Sequence, residues 1–121
     1  MQEPTFLILT ALAERPLHGY GVIQQVSELS NGRVVLRAGT LYAALERLTE
    51  DGLLTVDREE AVEGRLRRYY RVTDDGRREL RAEVDRLRRN ADLAAARLAR
   101  TRPDPGGLAL PGSAGLTAAP A

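Results

Sequence analysis

Between Arg37 and Leu54 the hydrophobic period changes from that of a helix to that of a strand across a single glycine. Leu41, Ala44, Leu45 and Leu48 recur at helical spacing and draw one apolar stripe, while Thr40, Tyr42, Ala43, Glu46 and Arg47 fall on the other faces. Gly52 stands just past the last periodic residue, where helices stop. Leu54 and Val56 then alternate with Thr55 and Asp57 in the manner of a half-buried strand. Two readings fit a helix held by one face with arginine, threonine and tyrosine elsewhere. It is plain scaffold, or it enters a DNA groove.

Upstream, Glu3 to Glu14 reads as a nearly all-apolar first helix, with Pro4 in its first turn and Arg15-Pro16 at its end. Pro16 to Gly21 reads as a turn into a second helix, Tyr20 to about Leu29, whose apolar face is Val22, Ile23, Val26 and Leu29. Asn31-Gly32 is a turn signal, and Val34-Val35-Leu36 anchors an extended connector. Downstream, strands are expected over Leu53–Arg58 and Arg67–Val72, joined by a charged loop, Glu59 to Arg65, longer than a tight hairpin needs. Three helices followed by a two-stranded ribbon is the layout of a winged helix-turn-helix, mainly α with a small β-hairpin. A lone hairpin is marginal in water, so this one must dock on the helices.

Thr73 is a suitable N-cap for a fourth helix, with Asp74 and Asp75 in its first turn. Gly76 is out of place there, since glycine costs roughly 1 kcal/mol inside a helix. Leu80, Val84, Leu87, Ala91, Ala94 and Leu98 follow at spacings of 4, 3, 4, 3 and 4, a heptad-type seam. Too little chain remains to cover such a helix, so the seam is expected to be a homodimer interface. Residues 103–121 are rich in Pro, Gly and Ala without periodicity and are expected to form a disordered tail. The expected organisation is a DNA-binding domain over 1–73, a dimerisation helix over 74–102 and the tail.

Composition removes most enzyme chemistry. There is one histidine and no cysteine, so nucleophile–base pairs, metal sites and disulfides are not supplied, and a reducing cytoplasm suits the chain. His18, beside Gly and Tyr in a turn, has no second ligand at metal spacing and reads as structural. No cofactor motif or phosphate loop is present. The apolar run Phe6 to Ala13 is too short to span a membrane.

Polyanion chemistry is well supplied. All basic residues are arginine, and five of them meet ten acids up to Gly64, near −5. From Arg65 to Arg102 thirteen meet six acids, near +7. Arg37 leads into the third helix, whose start at Gly39-Thr40 offers free backbone N–H groups to a phosphate or base edge. Arg47 follows later on the same helix, and Arg65, Arg67 and Arg68 cluster at the hairpin tip, where a wing reaches the neighbouring DNA backbone. Tyr20 and Tyr42 have hydroxyls suited to phosphates, or are core residues with wet tips.

The segments HGYGVI (18–23), AGTLYAALERLTEDGLL (38–54) and RRYYRVTDDGRREL (67–80) resemble, in order and spacing, the PadR family of bacterial transcriptional regulators, over roughly residues 5–100. The single long helix after the wing is similar to the shorter subfamily. The resemblance implies a winged helix-turn-helix dimer on a two-fold operator in double-stranded DNA, usually a repressor released by a small-molecule effector. Tyr20 then matches the family's second-helix tyrosine, and Gly39, Thr40 and Tyr42 match the start of its recognition helix. Arg68 stands where the family carries a basic wing residue. Ala43 replaces a proline common in the family, and without tryptophan a drug cannot stack on an interfacial indole. The alternatives are a winged-helix protein-interaction module without DNA binding, and a small-molecule carrier or enzyme using the dimer groove.

Overall fold

The structure, a computed structural model, describes residues 1–101, so the expected tail lies outside the described residues. Its elements are α1 (Glu3–Leu12), β1 (Leu17–His18), α2 (Gly19–Leu29), α3 (Ala38–Glu50), β2 (Leu54–Val62), β3 (Arg65–Val72) and α4 (Asp74–Arg100). The described residues divide into two units, Met1–Asp85 and residues 86–101.

In the first unit the core is built from one face of each helix. Ile8, Leu9 and Leu12 of α1, Val22 and Val26 of α2, and Leu41 and Leu45 of α3 are fully buried, together with Leu54 of β2. The buried residues of α3 are Leu41, Ala44, Leu45 and Leu48, the stripe its spacing predicts. On α2 the expected face is narrower, because Leu29 at its end is exposed. Of the connector's three apolar residues Leu36 is buried and Val35 exposed.

Helix α1 ends at Leu12, two residues before the expected Glu14. The free carbonyl of Ala13 accepts a 2.8 Å bond from Arg77 Nη2 of α4, which satisfies an end that has no basic residue of its own. Helix α3 closes with paired bonds, Leu53 N–H to Leu48 O at 2.9 Å and Gly52 N–H to Thr49 O at 3.0 Å, with Gly52 at φ 80°. This closure turns the chain directly into β2.

The wing differs from expectation in two ways. The sheet has three antiparallel strands in the order β1-β3-β2, because Leu17 and His18 pair with Tyr70 and Tyr69. The segment Glu59–Arg65, expected as a long loop, is instead mostly strand. The hairpin closes through Glu63-Gly64 alone, both at positive φ (51° and 77°), the two-residue turn that matches strand twist. A bulge at Asp57 shifts the register, pairing Val56 with Tyr70 but Arg58 with Tyr69. Tyr70 and Val72 are buried and dock the sheet on the helices.

Thr73 holds the next corner. Its hydroxyl donates to Gly52 O at 2.6 Å and accepts from Gly76 N–H at 3.0 Å, the N-cap its sequence position suggests. Gly76 is explained by contact. A Cβ there would lie 2.7 Å from Val72 Cγ1 and closer still to the Leu53 carbonyl oxygen.

The second unit is helical through Arg100 and exposed along its described length. No helix among the described residues is long and apolar enough to cross a membrane.

Candidate nucleic-acid interface

The N-terminal turn of α3 is presented to solvent. Arg37 is the N-cap with no side-chain capping bond, and Arg37, Ala38, Gly39 and Thr40 are all exposed. The first bond of the helix runs from Leu41 N–H to Arg37 O at 2.9 Å. The N–H groups of Ala38, Gly39 and Thr40 therefore have no partner within the helix, and the helix dipole adds positive potential at the same place.

The tyrosines divide by role. Tyr20 is 63% exposed and Tyr42 52%, so neither is a core residue. The Tyr42 ring lies against the backbone of Gly19, where a Cβ would come within 2.6 Å of Tyr42 Cζ. Tyr42 lies one turn after the exposed start of α3, so this contact brings the first turn of α2 beside that start.

An open cleft of about 580 Å³ is lined by Gly19, Tyr20 and Tyr42 on the helical side and by Arg65, Arg67 and Arg68 on the wing side. Five of the nine predicted DNA-contacting residues thus share one cleft. Arg37, Gly39 and Thr40 do not line it and lie on the exposed turn just before Tyr42. Arg47 stands apart: it is in the last turn of α3, and its Nη2 bonds Thr5 Oγ1 of α1 at 3.4 Å. Arg33, on the connector, is also engaged, gripping Glu3 through two bonds of 2.6 and 3.0 Å. The Arg33 guanidinium holds the Glu3 carboxyl below the usual carboxylate range.

The wing carries acids among its arginines. Arg68 Nε donates to Glu59 at 2.8 Å, and the two are direct cross-strand partners. Arg58 bonds both Glu60 at 2.9 Å and Asp57 at 3.1 Å, and its guanidinium lies 3.9 Å from the centre of the Tyr69 ring. The bond from Arg58 depresses the Glu60 carboxyl. His18, the N-cap of α2, packs edge-on to Tyr69 at 5.3 Å. Burial, then the Arg67 charge, lower its pKa from the ordinary histidine value, against an opposing pull from Glu60.

Sequence reasoning missed Gly19 and the acids of β2 as parts of this surface. The signal for Gly19 was present in the HGYG string, but its contact with Tyr42 needs the tertiary fold. Among the described residues no group of His, Cys, Asp or Glu could hold a metal ion.

The residues of the expected dimer seam divide between the units. Leu80 packs part-buried against the core of the first unit, and Val84 of that unit is half-buried. In the second unit Leu87, Ala91, Ala94 and Leu98 are exposed, as is Leu93, which the heptad reading leaves out.

Residues 8–82 match the Transcriptional regulator PadR-like family. The chain is 44% identical over 70 residues to Transcriptional regulator Rv3488 of Mycobacterium tuberculosis, a match covering 58% of this chain and 62% of that relative, less than two thirds of its length. A PadR family transcription regulator of hypervirulent Clostridium difficile superposes with a TM-score of 0.68 at 25% identity, over 80% of this chain and 99% of that one. Bacillus subtilis PadR, solved in complex with operator DNA, superposes with a TM-score of 0.62 at 25% identity, over 69% of this chain and 48% of that one. With its winged-helix fold and the matched span, the chain belongs to the PadR-like family of transcriptional regulators, which are not enzymes.

Proposed function

We propose that the protein is a DNA-binding repressor of the cytoplasm that docks on a two-fold operator as a homodimer and is released by a small-molecule effector. The observation that carries the DNA reading is the exposed, uncapped start of α3, with Arg37, Gly39 and Thr40 at its tip and Tyr42 one turn on. The relative from Bacillus subtilis held on operator DNA supports it.

In this reading α3 enters the major groove by its N-terminus, and Arg37 reads a guanine edge or its phosphate. Tyr20, Tyr42, Arg65 and Arg67 line the path of the adjacent backbone. Arg47, turned toward α1, serves the far edge of the contact at most. Two copies joined through Leu87, Ala91, Ala94 and Leu98, with Leu80 and Val84 at the inner end of the seam, would set two reading heads about 34 Å apart on successive grooves. An effector would act by changing their separation through α4.

A second reading, a winged-helix module that binds protein and not DNA, is favoured by one observation, the pairing of Arg58 and Arg68 with acids of the wing. Selection of bound sequences from random duplexes separates the two. The DNA reading expects a two-fold motif whose enrichment is lost in Arg37→Ala. No enrichment with the unaltered protein overturns it.

A further inference from the structure

Five arginines and four acids share the wing between Asp57 and Arg71, a net of about +1 on the element expected to track a polyanion. The acids are not spread at random. Asp57, Glu59 and Glu60 lie on β2, opposite the arginines of β3, and Glu59 is the register partner of Arg68. Its carboxylate takes the Arg68 Nε proton at 2.8 Å, with both side chains roughly half-exposed. Arg68 and Tyr70 both line the cleft beside Tyr42. Arg71 is likewise paired, with Asp57 at 3.6 Å.

A carboxylate bonded to a guanidinium reproduces the chemistry of an arginine–phosphate contact. We propose that Glu59 is an internal stand-in for a DNA phosphate, occupying Arg68 in the free protein and giving it up when a backbone phosphate takes its place. This rests on the DNA reading above and concerns how tightly that same surface holds DNA of any sequence. An exposed pair of this kind is weak, so a phosphate can displace it. The carboxylate left behind then faces the DNA and takes up a cation of its own. The net release of counterions is smaller than five wing arginines would give, and so is affinity for DNA of any sequence. Base contacts from α3 are untouched by this penalty. Glu59 therefore lowers affinity for every duplex and leaves the ratio of specific to non-specific affinity to the base contacts of α3.

The test is Glu59→Gln in the full chain, with affinity for a random-sequence duplex measured from 50 to 300 mM salt. The variant should bind roughly 3- to 10-fold more tightly at the low-salt end, with a salt slope steeper by up to ~0.9, the yield of one further phosphate contact. The gain should vanish in Glu59→Gln/Arg68→Gln. Glu14→Gln, which removes one exposed acid in the bend after α1, should behave as the unaltered protein. An unchanged affinity in Glu59→Gln, a gain that survives loss of Arg68, or an equal gain in Glu14→Gln overturns the proposal. If the unaltered protein binds no duplex at any salt, the DNA reading itself falls and takes this inference with it.

Discussion

The phenol of Tyr42 rests on the bare backbone of Gly19, leaving no room for a Cβ between α2 and α3. The obstructing atoms belong to the outer end of a half-exposed side chain, so they can swing away without disturbing the core. Gly19→Ala should therefore melt within a few degrees of the unaltered protein but lose duplex affinity about 3- to 10-fold, the scale of one or two displaced hydrogen bonds. Calorimetry beside a binding isotherm checks both halves.

Gly76 makes the opposite case. Its neighbours are the Leu53 carbonyl and Val72 of the buried corner, held by the Thr73 hydroxyl, and neither can retreat. Alanine is the better helix former by about 1 kcal/mol, yet overpacking costs typically ~1–3 kcal/mol. Gly76→Ala should be destabilised on balance, lowering the melting temperature by roughly 4–8 °C per kcal/mol for a domain of this size.

His18 gives the first unit a pH dependence of known sign. Burial against Tyr69 and the Arg67 charge favour its neutral form in the fold, while Glu60 partly offsets them. The unfolded chain then takes up the proton first as pH falls below about 6.5, so the contribution of His18 to stability declines from there until the folded form is protonated too, and does not change with pH above. Glu3 and Glu60, both depressed by arginine, add their own loss only in the ordinary carboxylate range and below. Melting curves between pH 7.5 and 5 should show the decline, and His18→Gln should flatten it.

Much of this was legible in the chain. The stripe of α3, the Thr73 cap and the helix of the second unit follow from spacing, because each is set by residues within a few positions. Strand β1 was not legible: two residues, Leu17 and His18, carry no period, and only pairing with β3 makes them a strand. The outer arms of the hairpin, Glu59–Val62 and Arg65, read as loop because a charged stretch without apolar alternation hides a strand with little burial, and a glutamate at positive φ is an unusual turn residue. The occupation of Arg68 by Glu59 depends on a register reset by a bulge at Asp57, which no linear spacing reports. The oddity of Gly76 was visible, but its cause lay in Leu53 and Val72.

The dimer reading rests on exposed residues of the second unit. Leu87, 41% exposed, lies in the middle of the seam. Leu87→Arg should convert a dimer to a monomer in sedimentation velocity at micromolar concentration and weaken operator binding more than random-duplex binding. A variant that stays dimeric places the interface elsewhere.

In the DNA reading the start of α3 and the wing together bind the DNA backbone. Its most direct test is affinity for a selected duplex as salt is raised. Log affinity should fall linearly with log salt, with a slope of several units at ~0.9 per phosphate contact, made shallower by Arg37→Ala or Arg67→Ala. An affinity that stays flat across the titration, or a slope indifferent to those arginines, would contradict it.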